Sequence, residues 1–288
     1  MNIFITGATG FIGKSFLKNL LSQTGPADRV FSLARASSAR QDERVRELAG
    51  TLDIVERFKN EILSSDYVFH LAANPVFGNK FNYDALNHEP TVKIVDILKN
   101  SRSLKNFIFI SSIGAVDRDR YDDCARALTC ESIPAPTSFY GKSKLKSEQY
   151  IMASKIPFTI IRPAWVYGPG MRLRSHINEF VSLAFKGSWI VRFNFPGKVS
   201  LIHVDELSGA LVRCLGNGRI IGKVYFAATQ ALSIGTIFKI ISGKVHKKTA
   251  PLFPAPRLSW LLKKIQRGVP VAVANLFWII SGPKRSRL

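Results

Sequence analysis

The chain has 288 residues, 46% of them hydrophobic, with 41 Lys and Arg against 20 Asp and Glu and a net charge of +21. That hydrophobic share excludes a disordered chain, and the length allows one large domain or two of ordinary size, each able to bury a core. Cys124, Cys130 and Cys214 are odd in number and show no C-x-x-C spacing, so they read as free thiols; neither a disulfide scaffold nor a metal site is expected.

Ile3-Phe4-Ile5 reads as a buried strand. This start lacks the charged region and longer apolar run of a secretory signal, which predicts a cytoplasmic location. No segment reaches the roughly 18 apolar residues of a spanning helix. The nearest, residues 269–280, is interrupted by Pro270 and Asn275. Gly7-Ala8-Thr9-Gly10-Phe11-Ile12-Gly13 follows the strand, and Phe16, Leu17, Leu20 and Leu21 then recur at helical spacing. Val30-Phe31-Ser32-Leu33 completes a strand, helix, strand unit with an expected right-handed crossover. Further strands are predicted at residues 67–71, 107–110 and 158–161, with helices at 92–98 and 140–152 between them. Such alternation predicts an α/β fold, a doubly wound parallel sheet of Rossmann type covered on both faces. After Pro163 the pattern loosens, with a helix expected at 177–185 and a short strand at 199–203. The expected division is a dinucleotide-binding domain over residues 1–165 and a smaller substrate-binding lobe over 166–288, the chain being free to cross between them.

The glycine motif, G-x-x-G-x-x-G between a strand and a helix, has a physical rationale at each position. Gly7 permits a tight turn, Gly10 lets a pyrophosphate approach the backbone, and Gly13 lets helix and strand pack closely. The helix start offers free N–H groups to phosphate. Gly13-Lys14-Ser15 mimics the end of a nucleoside-triphosphate loop, but that motif needs glycine where this chain has Ala8, so Lys14 reads as a solvated helix residue. At the end of the second strand stand Leu33-Ala34-Arg35, then Ser37, Ser38 and Arg40, with no acid to bond a ribose 2′-hydroxyl. Arg35 suits a 2′-phosphate, so NADP is favoured over NAD; the plain alternative makes Arg35 a solvated loop charge.

Tyr140 and Lys144 stand four residues apart and share a helix face. A neighbouring ammonium favours the phenolate, which makes Tyr140 a candidate general acid or base. Ser112, at the end of a preceding strand, could bond the same substrate oxygen. Taken alone, Tyr-x-x-x-Lys reads by default as a solvated helix pair.

In this order along the chain, the motifs resemble those of the extended short-chain dehydrogenase/reductases, the NAD(P)-dependent epimerase/dehydratase family. The matching pieces are the residue 6–13 loop, His70-Leu71-Ala72-Ala73, residues 107–112, Tyr140 to Lys144, Arg162-Pro163 with Val166-Tyr167-Gly168-Pro169-Gly170, and Ile202-His203-Val204-Asp205-Glu206. The resemblance implies that Tyr140 is the catalytic acid/base, that Lys144 holds the nicotinamide ribose and tunes Tyr140, and that Ser112 orients the substrate oxygen. It implies a cofactor site lined by Gly7, Gly10, Phe11, Ile12 and Gly13 at the pyrophosphate, Leu52 at the adenine, Ala72 and Ala73 along the phosphate and ribose with Asn87 beneath, and Pro163 and Val166 at the nicotinamide. Arg172 and Lys198 are candidate substrate contacts, since such a lobe binds a nucleotide-linked sugar whose diphosphate attracts cations. A homodimer is also implied.

The sequence departs from the family pattern at three places. Thr51 stands where Asp is usual before Leu52, Ala115-Val116-Asp117 replaces Val-Tyr-Gly, and residues 117–138 are unusually charged. The 4,6-dehydratases carry Thr-Asp-Glu where this chain has Ser112-Ile113-Gly114, so elimination of water lacks its extra acid and base. The expectation is an oxidoreductase or epimerase working by hydride transfer on a nucleotide-linked sugar, a 4-keto reductase or a 4-epimerase. The alternatives are an NADPH-dependent reductase of steroid- or flavonoid-like ketones and a non-catalytic NADP-binding regulatory protein.

The last 82 residues hold 14 Lys and Arg and not one Asp or Glu. Trp260, Leu261, Leu262 and Ile265 lie beside Lys263, Lys264 and Arg267, and residues 277–280 precede Lys284-Arg285-Ser286-Arg287. The plainer reading is a core helix or dimer contact with solvated cations; the sharper one is a peripheral contact with an anionic membrane. No nucleic-acid motif is present, and nucleic-acid binding is not expected.

Overall fold

Strands β1 (Asn2–Thr6), β2 (Arg29–Ala34), β3 (Val45–Ala49), β4 (Tyr67–His70), β5 (Asn106–Ile110), β6 (Phe158–Pro163) and, much later, β10 (Lys223–Ala227) form one parallel seven-stranded sheet. The computed structural model describes residues 1–35, 42–75, 81–117, 128–173, 175–195, 197–246 and 253–254. In the order β10-β6-β5-β4-β1-β2-β3, the chain runs outward from β1 to β3, then reverses and fills the other side from β4. Every residue of β4 and of β5 is buried, as parallel strands covered on both faces require. Helices α1 (Phe11–Leu21), α2 (Lys59–Leu63), α3 (Glu89–Leu98), α4 (Phe139–Ala153) and α6 (Val204–Val212) belong to the same unit. Phe16, Leu17 and Leu20 recur on one face of α1 and are fully buried. Helix α4 differs: apart from Gly141 and Ile151, what it buries is polar, namely Ser143, Lys144, Ser147 and Glu148.

Of the described residues, this first unit takes 1–117, 128–163 and 203–227, and the second takes 164–202 and 228–254. The second unit has a three-stranded sheet, β11 (Gln230–Ser233), β9 (Lys198–His203) and β7 (Trp165–Tyr167) in that order, with β11 antiparallel to β9. A short parallel pair joins β8 (Phe193–Asn194) to β12 (Phe253–Pro254). Its helices are α5 (His176–Phe185) and α7 (Ile234–His246), and its core gathers Phe180, Phe195, Ile237 and Phe238.

The chain-order expectations meet β1, β2, β4, β5 and β6 and helices α1, α3 and α4 closely, while α2 was not foreseen. Strands β3 and β10 were not foreseen, because edge strands carry weak apolar signals: β10 leaves Lys223 and Tyr225 exposed. Among the described residues no helix is long and apolar enough to cross a membrane, and no group of three His, Cys, Asp or Glu is placed to hold a metal. Cys130 is an exposed free thiol and Cys214 a buried one, pushed up to about 11 by its burial. Cys124, Ser37, Ser38, Arg40 and the basic apolar segment at 259–287 lie outside the described residues.

Candidate active site

The loop from β1 to α1 is shaped by what cannot fit inside it. Gly7 has φ +79°, and a Cβ there would stand 2.6 Å from the Ala72 amide nitrogen. A Cβ on Gly13 would stand 2.0 Å from the Gly7 carbonyl oxygen. Gly10 donates its N–H to that same carbonyl at 3.0 Å and forms the N-cap of α1, with no side-chain cap and no acid in the first turn. The first amides of α1 are thus left to an anion, with Phe11 and Ile12 half-buried beside them. This cradle, which a Cβ would fill, fits a dinucleotide's pyrophosphate.

A buried polar chain aligns the neighbouring strand ends. Thr91 donates its hydroxyl proton to the Asn87 carbonyl at 2.7 Å, so it accepts from His70 Nε2–H at 3.0 Å. Burial pushes His70 down to about 3, so the ring is neutral and its Nδ1 accepts from the Thr6 hydroxyl at 2.6 Å. Thr6 Oγ1 in turn accepts the Ala72 N–H at 3.3 Å. Asn87, itself buried, accepts the Asn74 N–H at 2.7 Å and donates to the Asn74 carbonyl and to Ser143 Oγ, both at 3.3 Å. The loop carrying Ala72 and Ala73 is therefore held from both sides.

The end of β5 meets the first turn of α4 at backbone distance: a Cβ on Gly141 would stand 2.1 Å from the Gly114 carbonyl oxygen. Ser138 caps α4 by accepting the Gly141 N–H at 3.0 Å. Ser112 Oγ accepts the Gly114 N–H at 3.1 Å, an arrangement that leaves its own proton out of that bond. Lys144 is 2% exposed; its Nζ donates to the Ile110 carbonyl at 2.8 Å and lies 4.5 Å from the Phe109 ring centre. Burial pushes the ammonium down to about 7, opposed in part by the Glu148 carboxylate. Tyr140, half-buried, meets Tyr83 edge to face at 6.3 Å between ring centres. Ser112, Tyr140 and Lys144 are thus gathered where β5 ends and α4 begins.

In a parallel sheet all strands end on one edge, so Gly7, Arg35, Ala72, Ser112 and Pro163 share that edge, which includes the reversal point between β1 and β4. Arg35 is exposed, Pro163 is buried, and Leu52 opens a kinked seven-residue 3₁₀ segment, Leu52–Phe58, packed on the sheet core. Val166, Arg172 and Lys198 belong to the second unit, where Val166 is half-buried on β7 and the two cations are exposed. Sequence reasoning missed Ser111, Glu148 and the alignment chain through Thr6, His70 and Thr91. The spacing of Tyr140, Lys144 and Glu148 at successive turns of one helix was the available signal for the acid.

A glycine cradle at the reversal point of a doubly wound sheet, with Ser, Tyr and Lys gathered at a strand end beside it, defines a nicotinamide-dinucleotide enzyme. The family model described as "NAD dependent epimerase/dehydratase family" matches residues 3–226, and the chain belongs to that family. It is 27% identical to a UDP-glucose 4-epimerase of Vibrio cholerae over 238 residues, covering 79% of this chain and 70% of the relative. Its fold is similar to that of a UDP-glucuronic acid 4-epimerase from Bacillus cereus, solved with UDP-glucuronic acid and NAD, at TM-score 0.74 and 21% identity over 98% of each chain. A dTDP-glucose 4,6-dehydratase from Bacillus anthracis, solved with NAD, has a TM-score of 0.73 at 19% identity, covering 88% of this chain and 84% of that one.

Proposed function

We propose that the protein transfers hydride at a carbinol carbon of a nucleotide-linked sugar, as a 4-epimerase or a 4-keto reductase. The observation that carries this reading is the buried Lys144 one helical turn from Tyr140, both fixed to the strand end that bears Ser112. Gly7, Gly10 and Gly13 with the first turn of α1 would hold the pyrophosphate, and Ala72 and Ala73 would line the cofactor further along. When bound, the nicotinamide supplies the hydride chemistry. Ser112 donates a hydrogen bond to the substrate oxygen and orients it. Tyr140 moves the proton between that oxygen and its own, and the Lys144 cation steadies the charge left on the phenolic oxygen.

The likeness to a UDP-glucose 4-epimerase supports a nucleotide-linked sugar, and Arg172 and Lys198 are the proposed contacts to its diphosphate. Elimination of water is disfavoured because Ser112-Ile113-Gly114 offers no acid pair, although a 4,6-dehydratase at 26% identity over 245 residues stands among the relatives, so formation of a 4-keto-6-deoxy sugar is assayed beside epimerisation. On the cofactor, the family description names NAD, whereas Arg35 and the lack of acid over residues 33–41 support acceptance of a 2′-phosphate. Comparing the Kd of NADH with that of NADPH decides between them. A homodimer and a cytoplasmic location complete the reading, with residues 259–287 serving as a core or dimer contact ahead of the alternative, a membrane contact; sizing chromatography, fractionation and flotation with anionic vesicles test them.

The central test uses UDP-glucose and UDP-galactose as substrates with each cofactor. Tyr140→Phe should lower kcat by about 10²–10⁴ while leaving cofactor Kd unchanged. Undiminished turnover in that variant, or activity confined to steroid or flavonoid ketones, would overturn the proposal.

A further inference from the structure

Glu148 is fully buried, and its carboxylate is the hub of a cluster that the reaction as described does not use. Arg162, 4% exposed on β6, donates Nε–H to both carboxylate oxygens at 3.0 and 3.2 Å and Nη2–H to one of them at 2.6 Å. Ser111 donates its hydroxyl to the same carboxylate. The remaining nitrogen of the guanidinium, Nη1, has no partner among the described residues, so the arginine's bonding is spent on Glu148. Buried ion pairs are costly to assemble and are retained more often for specificity than for stability. The question is what this one specifies.

Its position answers. Ser111 lies between Ile110, whose carbonyl receives the Lys144 amine, and Ser112. Glu148 lies one turn beyond Lys144 on α4. One carboxylate therefore ties α4 to the ends of β5 and β6 at the place where Ser112, Tyr140 and Lys144 must keep register. The groups coupled to the Lys144 amine are Glu148 on its own helix and His70 on β4, with Arg162 on β6 behind Glu148; Tyr140 stands one turn before Lys144 on α4. His70 is kept neutral by burial, so Glu148 is the one carboxylate in that set.

We propose that Glu148 is a positioning residue for Lys144, aligning it through Ser111 at the end of β5 and supplying the fixed negative charge that the buried amine answers to. This deepens the hydride-transfer reading and rests on it for its catalytic consequence. Without the carboxylate, burial alone would govern the amine, and its neutral form would dominate at working pH.

The test is an NMR titration of the full-length protein labelled with ¹³C at lysine Cε, with the Lys144 signal assigned by its loss in Lys144→Met. In Glu148→Gln the Lys144 midpoint should fall by about one pH unit, the scale of a nearby opposite charge. In Ser111→Ala, which keeps the ion pair, the midpoint should stay while kcat falls. Where the single Gln variant does not fold because Arg162 is stranded, Glu148→Gln with Arg162→Met removes the stranded cation and carries the same readout. A purely structural cluster would lower Tm and leave the midpoint in place, and that result overturns the proposal. Unchanged kcat in Ser111→Ala overturns the alignment through β5. The midpoint is read without substrate, so it judges Glu148 even where Tyr140→Phe has already refuted the reaction.

Discussion

In the first unit polar side chains do the aligning: Thr6, His70, Thr91 and Asn87 join two strands to a helix, and Ser111, Glu148 and Arg162 join two more strands to α4. In the second unit the corresponding place is taken by aromatic rings. Phe180 meets Phe238 at 4.9 Å, Trp165 meets His176 at 4.5 Å, and Phe195 meets Phe238 at 6.1 Å. Hydrogen bonds have direction and short reach, so a buried chain of them fixes strand ends to fractions of an ångström. Ring packing is less directional and adapts to altered neighbours at modest cost. The lesson is that this chain places its costly buried polar groups around the glycine loop and the strand end that carries Ser112, and fills the remainder with carbon.

The sharpest way to break that comparison is at the glycine loop. Gly13→Ala places a methyl 2.0 Å from the Gly7 carbonyl oxygen, against backbone that cannot yield. Loss of the cooperative unfolding transition, or destabilisation above about 4 kcal/mol in urea titration, is expected. In the second unit, Phe238→Ala removes a fully buried ring and should cost about 3–5 kcal/mol by the same measurement. A smaller loss there would mean that the aromatic core closes over the gap.

Acid sharpens the contrast further. His70 sits at about 3 in the folded protein against an ordinary value of 6.5, so between those pH values the unfolded chain binds the extra proton and stability falls as pH falls. His70→Asn, which keeps a hydrogen-bonding side chain without the titration, should flatten the stability–pH curve by about 1.4 kcal/mol per pH unit across that window. Parallel curves for the two proteins would show that the ring is not held neutral in the folded state.

Much of the first unit was legible because its signals are local. The glycine spacing, the apolar strands and the Tyr140–Lys144 interval each depend on neighbours within a few residues. Strand β10 was not legible, since its place beside β6 depends on pairing Lys223 with Thr159, some 60 positions away, and two of its five residues are exposed with none fully buried. Glu148 and Ser111 escaped for a related reason. A buried acid looks like a surface acid until its partners from other strands are known.

The sequence by itself determined the α/β alternation, the tight glycine turn before α1 and the identity of the groups at the end of β5, because backbone sterics and side-chain periodicity are written residue by residue. Only the tertiary structure decided that α4 turns a polar face inward, that His70 is neutral between two threonines, and that Glu148 faces Arg162 and Ser111. Those outcomes hang on burial, and burial is a property of what distant segments bring over a side chain, which no stretch of sequence contains alone.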